Sequence, residues 1–291
     1  MKPPPFEYHA PSSLDEALSL LAEHGDEAKV LAGGQSLIPL MSLRLAHPGV
    51  LVDLNGVSGL SSMGRRDGAL AVGATVRERA AERSDEVHTA VPLLAAALPL
   101  VGHPAIRSRG TVGGSMAHAD PAAELPAVAV ALDAEMVATS KARGQRTFAA
   151  ADFFLGFFTT ALEADEILTE VRFPVAGRGT GAAFEEACRR HGDFAMVGAC
   201  AQVQLDGGAL KEARVAMISV SDTPVRAREA EEILAGATPS DDLFRAASEA
   251  AARNLEPPSD LHASSAYRKH VGAVLVRRAL EKAVARAGGS R

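Results

Sequence analysis

Two short stretches place adjacent glycines among hydroxyl-bearing neighbours: Leu31-Ala-Gly-Gly-Gln-Ser-Leu37 and Thr111-Val-Gly-Gly-Ser115. Each glycine loses more backbone freedom on folding than any other residue, so a pair of them implies that something comes too close for a side chain. A diphosphate is one such neighbour. It needs backbone N–H groups pointing at it, no Cβ in the way, and preferably a helix start behind it. Gly33, Gly34, Gln35 and Ser36 offer several amides and a hydroxyl, and Thr111, Gly113, Gly114 and Ser115 offer the same chemistry. Taken singly, each loop also reads as a plain tight turn. Two such loops between regular elements favour anion binding, and neither carries a central lysine.

The elements that must position these loops alternate along the chain. Ser13-x-x-Glu16 is a capping box, and Leu14, Ala17, Leu18, Leu21 and Ala22 follow the helical period up to Gly25. "AKVLA" reads as a short buried strand leading into the first glycine pair. Ser36 is placed to cap a following helix with Pro39 in its first turn, and "VLVDL" at 50–54 is the next strand. These elements define a compact α/β lobe over 1–55. In the second segment, 56–175, "ALAVGA" is a strand, Thr75-x-x-Glu78 a second capping box, and "PLLAAALPLV" a helix running into the second glycine loop. A helix over "AVAVALDA", a strand at "EMVATS", the aromatic cluster "FFLGFF" and the strand "ILTEVRFP" follow. The glycine-rich "VAGRGTG" at 175–181 marks a boundary. Over 176–291, strands at "MVGACAQVQL" and "EARVAMISV" precede helices near 225–235, 240–254 and 266–287.

Composition excludes several function classes. The net charge of −6 over 291 residues argues against a general nucleic-acid binder. Two cysteines, Cys188 and Cys200, give neither a disulfide framework nor a zinc or iron–sulfur spacing. The pair reads as small core residues. No Walker motif occurs, and "GRGTG" at 177–181 follows Pro174 and lacks the third glycine of a dinucleotide fingerprint. The N-terminal "MKPPPFEYHAPSS" has no apolar signal region, and the apolar stretch around 90–102 is broken by Pro92 and Pro99. A soluble, cytoplasmic protein is expected. His118 and Asp120 in "AHAD" lack further ligands at suitable spacing, so loop hydrogen bonding is expected of them and no metal site is. "FFLGFF" is expected to serve in core packing or a subunit contact, and Arg189, Arg190, Arg277 and Arg278 to be solvated or ion-paired.

Two diphosphate loops without a Rossmann motif point to another flavin fold, and there a resemblance emerges. "AKVLAGGQSLIPLMSLRLAHPGVLVDL" and "VGHPAIRSRGTVGGSMAHADPAAELPA" closely resemble the two FAD-binding signatures of the medium, flavin-carrying subunits of molybdenum hydroxylases. These are subunits of the carbon monoxide dehydrogenase type, related to the FAD domain of xanthine dehydrogenase. "FFLGFFTTALEADEILTEVRFP", "FEEACRRHGDFAMVGA" and "AYRKHVGAVLVRRAL" extend the likeness over nearly the whole chain.

The resemblance implies an α+β protein: a two-lobed FAD-binding fold of the vanillyl-alcohol-oxidase type, then a small α+β C-terminal domain. It implies FAD contacts from Leu31, Ala32, Gly33, Gly34, Gln35, Ser36 and Leu37, with Lys29 just ahead, and from Val101, Thr111, Gly113, Gly114 and Ser115. Glu124, where many relatives carry Asp, would bond the cofactor's polar chain. Ile167 or Leu168 would pack by the ring, and Phe194 would lie near the flavin. It further implies molybdenum–pterin in a large partner subunit and [2Fe–2S] clusters in a small one, in a dimer of heterotrimers, with no catalytic acid, base or metal in this chain. The second signature is similar to those of subunits serving aldehyde, purine and N-heteroaromatic oxidation. Carbon monoxide dehydrogenases tend to have Asn where Ser115 stands, which leaves carbon monoxide oxidation as the alternative. A non-catalytic nucleotide-binding or assembly module is the second alternative.

Overall fold

The serine that opens the first helix works as its position demands. In the computed structural model, which describes residues 2–288, the Ser13 hydroxyl accepts the N–H of Glu16 at 3.2 Å and starts α1 (Leu14–His24). The Glu16 carboxylate reaches back to the N–H of Ser12, one residue beyond the cap. Ala17, Leu18 and Leu21 turn inward, and Gly25 leaves the helix at φ +51°. The buried face of α1 packs on a parallel sheet of order β1-β3-β2, formed by β1 (Glu7–His9), β2 (Ala28–Leu31) and β3 (Val50–Asp53). Strand β1 was not expected. It has only three residues, none buried, and follows three prolines, so it shows no usable alternation. Between β2 and β3 lies the short α2 (Leu37–Ser42).

The second segment forms a five-stranded antiparallel sheet of order β4-β5-β10-β6-β7. Its members are β4 (Met63–Arg66), β5 (Ala69–Gly73), β6 (Glu135–Ser140), β7 (Gly144–Ala149) and β10 (Glu166–Pro174). Two further strands, β8 (Phe154–Gly156) and β9 (Thr159–Thr160), make a separate hairpin. The helices are α3 (Glu78–Glu82), α4 (Asp85–Ala90), α5 (Pro92–Ala97), α6 (Pro104–Arg107), α7 (Val112–His118), α8 (Glu124–Ala131) and α9 (Ala150–Phe153). Leu70, Val72, Met136, Val171 and Phe173 of the sheet share one core with α5 and α8. Every residue of α8 is buried, so it lies between layers instead of on a surface.

Two expected helix features fail here. Thr75 does not cap α3, which starts at Glu78 after Arg77 without a side-chain cap. The backbone around Thr75 is still tied to its neighbours, Ala74 N–H to the Thr169 carbonyl and Thr75 N–H to the Leu60 carbonyl. It therefore cannot turn into a helix at that point. The helix expected over "PLLAAALPLV" ends at Ala97 and tightens into a 3₁₀ turn over Leu98–Leu100. Pro99, without an N–H, cannot continue the α-helical ladder.

The last segment builds a four-stranded antiparallel sheet, β11 (Thr180–Ala187), β12 (Val197–Asp206), β13 (Ala209–Ile218) and β14 (Val225–Arg226), in that order. Helices α10 (Arg228–Leu234), α11 (Asp241–Arg253) and α12 (Ser265–Gly288) cover one face. Strand β11 had not been expected as an element, because "TGAAFEEA" shows no clean period-two alternation. Arg268 anchors α12. It is buried, donates to the carbonyls of Met196 and Ser219, and pairs with Asp260. Backbone N–H groups of Ala263 and His262, joined by Arg268, hold the Asp260 carboxyl down to about 2. Arg268→Met keeps the stem but leaves two carbonyls unmet. It is expected to destabilise the chain by about 3 kcal/mol, read as a lower denaturant midpoint at unchanged slope.

Candidate functional site

Both glycine loops come to one place. Strands β2 and β3 run side by side with Leu31 level with Asp53, so the first loop leaves the carboxyl end of a parallel sheet, where α/β folds commonly bind ligands. The second loop enters α7, with the Thr111 hydroxyl accepting the N–H of Gly114 as N-cap. A Cβ added to Gly33 would lie 2.5 Å from the Arg109 carbonyl oxygen and 2.8 Å from Gly110 Cα. One on Gly113 would lie 2.5 Å from Ala74 Cα, and one on Gly114 2.6 Å from Thr111 Oγ1. The space these three glycines leave is thus filled by the chain itself, which corrects the expectation that all four clear room for a ligand. Gly34 differs. Its φ of +73° lies in the left-handed region, and it turns the chain toward α2.

Amide accounting separates the loops further. In the second, Val112 N–H bonds to Val76 O, Gly113 N–H to Ala74 O, and Ser115 N–H to Thr111 O. With Gly114 N–H already on Thr111, these amides are committed, contrary to expectation. In the first, the N–H groups of Gly33, Gly34, Gln35 and Ser36 meet no acceptor among the described residues. Ser36 occupies the N-cap position of α2, yet its hydroxyl makes no cap bond, so it too is unengaged. The first loop therefore leaves four consecutive amides and a hydroxyl unpaired at the start of α2, donors of the kind an anion engages.

A polar clamp absent from the sequence expectations holds the loops together. Asn55 Nδ2 donates to the Ala32 carbonyl at 2.9 Å, and its Oδ1 accepts from Arg77 at 2.5 Å. The same Arg77 donates to the Arg109 carbonyl. Tyr8 and the Asn55 backbone both donate to Asp53, which fixes the end of β3. Neither Asn55 nor Arg77 belongs to a recognisable motif, and no local signal marks them.

Residues 4–176 match the FAD binding domain in molybdopterin dehydrogenase, and residues 182–283 match the CO dehydrogenase flavoprotein C-terminal domain. The chain belongs to this flavoprotein family. It is 42% identical over 288 residues to the 6-hydroxypseudooxynicotine dehydrogenase complex subunit alpha of Paenarthrobacter nicotinovorans, covering 99% of this chain and 97% of that one. Among solved structures it is similar to carbon monoxide dehydrogenase from Hydrogenophaga pseudoflava, with a TM-score of 0.95, 40% identity and coverage of 98% of this chain and 99% of that one. Quinoline 2-oxidoreductase from Pseudomonas putida 86 gives a TM-score of 0.94 at 39% identity, with 99% of each chain covered. The protein is accordingly an FAD-binding oxidoreductase subunit of the molybdenum hydroxylases, whose molybdenum–pterin and iron–sulfur centres are carried by other subunits.

The flavoprotein's remaining expected site residues fall in several settings. Glu124 opens α8 and is buried, and burial raises its carboxyl to about 8, with Glu186, Glu78 and Asp120 adding to the push. Phe194 is 69% exposed, in the loop between β11 and β12. That loop touches the segment near Val101, since a Cβ on Gly192 would lie 2.5 Å from the His103 ring. Ile167 and Leu168 are both buried, Ile167 in the core under α1 and Leu168 in the core of the five-stranded sheet. Lys29 is exposed on β2, and Leu37 starts α2. His118 stacks on Phe158 with ring centroids 4.9 Å apart, and Asp120 accepts the Ala122 N–H. Of the aromatic cluster, Phe153 and Phe154 are buried, whereas Leu155, Phe157 and Phe158 are exposed. Arg190 pairs with Asp193, and Arg277 with Glu281. Burial pushes the Cys200 thiol up to about 12.

One consequence of the loop packing is directly testable. Gly33→Val is expected to lower the melting temperature of the cofactor-free chain by several degrees, because the valine displaces the Arg109–Gly110 backbone. Arg77→Met should act in the same direction with smaller effect. A flavin-free chain that melted unchanged would return the space beside Gly33 to the ligand.

Proposed function

We propose that the first glycine loop holds the diphosphate of FAD, through the amides of Gly33, Gly34, Gln35 and Ser36 and the Ser36 hydroxyl. The observation that carries this reading is the run of four unpaired amides at the start of α2. An anion there would satisfy donors that nothing in the chain meets. Leu31, Ala32 and Leu37 frame that cradle, and Lys29 contributes positive charge nearby. Thr111, Gly113, Gly114 and Ser115 form the facing wall, with the Ser115 hydroxyl as its free donor. Glu124, kept neutral by burial, offers a hydrogen bond to the hydroxyl chain of the cofactor. Val101 and Phe194 bound the region of the ring, while Ile167 and Leu168, both buried, position β10 from behind.

Bound FAD supplies a carrier that takes electrons singly from a partner's [2Fe–2S] clusters and releases them singly or in pairs to an external acceptor. The chain's own part is to bind, orient and shield it. We further read 1–55 and 56–175 as the two FAD-binding lobes and 176–291 as the C-terminal domain, in agreement with the three main sheets. The assembly is a dimer of heterotrimers with a small iron–sulfur and a large molybdenum subunit, located in the cytoplasm. No helix among the described residues is long and apolar enough to cross a membrane. The substrate class is a purine, another N-heteroaromatic or an aldehyde, and the relatives named for quinoline and 6-hydroxypseudooxynicotine support it.

The purified chain is expected to show a flavin spectrum and to release one FAD per polypeptide on denaturation. Ser36→Ala should weaken FAD binding about tenfold, the loss of one hydrogen bond to a charged group, while leaving the melting temperature of the cofactor-free chain unchanged. A colourless, folded chain that took up no added FAD would overturn the assignment in favour of an assembly module.

A further inference from the structure

Behind the second loop lies Glu78, a buried carboxyl to which no role has been given, and both it and Glu186 act on the Glu124 carboxyl. Glu78, the first residue of α3, donates its N–H to the Gly110 carbonyl, and its own carboxyl presses against Gly110 on the side where a Cβ would project. Gly110 in turn lies against Gly33. A single residue of backbone thus separates the Glu78 carboxyl from the loop with unpaired amides. Glu78 is 4% exposed and Glu124 8%. Glu186, on β11 of the last sheet, belongs to the same field, and buried Oε2 atoms of Glu78 and Glu186 have no hydrogen-bond partner.

Little positive charge answers them. Arg107 on α6 acts on Glu78, but its guanidinium is bonded to both oxygens of Glu82 and to the carbonyls of Val101 and Gly102. The other titratable groups acting on the cluster or standing beside it are Asp120 and His118 at the end of α7, with Cys188 and Asp193 beyond β11. Arg77 and Arg109 lie on the clamp side, and Arg77 is spent on Asn55 and a carbonyl. Burial raises Glu78 and Glu124 to about 8 and Glu186 to about 7.

We propose that FAD binding at the first loop is coupled to proton uptake by Glu78, Glu124 and Glu186, because the wall behind the loop accepts the diphosphate's negative charge only with these carboxyls protonated. The inference rests on the assignment of that loop to FAD. Its sign follows from linkage. Well below these values the three groups are neutral, so affinity is flat. As pH rises through their values in the free chain they ionise, and binding must then draw protons back and weakens. Each coupled proton changes the affinity by up to about tenfold per pH unit. FAD itself has no group titrating near neutrality, so the slope belongs to the protein.

The test uses the full-length chain with FAD as the probe. Affinity is measured by quenching of flavin fluorescence from pH 6 to pH 9 at constant ionic strength. Calorimetry in two buffers of different ionisation heat counts the protons taken up. Expected are a fall in affinity of at least about tenfold across that range and net proton uptake above neutrality. The Glu78→Gln/Glu186→Gln double variant, whose amides keep the size but cannot ionise, should flatten the slope. Tight binding with no pH dependence and no proton exchange would overturn the coupling and leave the FAD assignment standing, whereas failure to bind at any pH would remove both. An unchanged slope in the folded double variant would also overturn the proposal. Should that variant not fold, the two-buffer measurement on the unaltered chain still decides.

Discussion

Everything at the site depends on how closely the Gly33 backbone approaches Arg109 and Gly110. At this separation even one methyl group on Gly33 would fall 2.5 Å from a carbonyl oxygen. The first and second loops can therefore meet backbone to backbone. The approach is costly in backbone freedom, and the Asn55–Arg77 clamp secures it by bonding to the carbonyls on both sides, Ala32 and Arg109. Because those carbonyls are occupied, what the first loop still offers is donors. Under the proposed assignment the loop would select an anion through these free donors, with no lysine needed at its centre.

This division of labour assigns the two glycine pairs different tasks. The second loop is a structural joint, whose amides are spent on Val76, Ala74 and Thr111 and whose glycines admit the turn after β5. The first is the open half, with amides free and Gly34 supplying the left-handed turn into α2. Similar sequence chemistry, two glycines beside a hydroxyl residue, therefore leaves the amides committed in one case and free in the other. Only the destination of each N–H distinguishes them.

Much of this was legible in the sequence. The capping serine of α1, the strands beside both loops and the three helices of the last segment follow from local period and cap chemistry. The family itself was legible from its signatures. What could not be read were features set by long-range partners. Strand β1 exists because β3 offers it an edge, at a separation of more than forty residues. Thr75 fails as a cap because Leu60 and Thr169 hold its neighbourhood extended. Asn55 and Arg77 look like any polar residues until the fold brings Ala32 and Arg109 to them. The glycine pairs were rightly read as marking close approach, but the identity of the approaching group was a tertiary fact.

The last sheet packs on the helix that begins with one of the expected site residues. Helix α8 is buried on all sides because the C-terminal sheet closes over it, with Arg226 donating to the Val130 carbonyl and to Asp133 across the junction. Glu124 begins that same helix. Its burial, and hence its neutral carboxyl, is therefore a product of the C-terminal sheet as much as of the FAD-binding lobes. Strand β11 adds Glu186 to its surroundings, and the loop beyond lays Gly192 on His103. A chain cut before β11 would remove these neighbours and open α8 to water. The carboxyl would then return toward its ordinary value and, as an anion, could no longer donate the hydrogen bond proposed for the cofactor's hydroxyl chain. On this physical ground the C-terminal sheet, under the proposed assignment, helps to form the binding surface by enclosing α8.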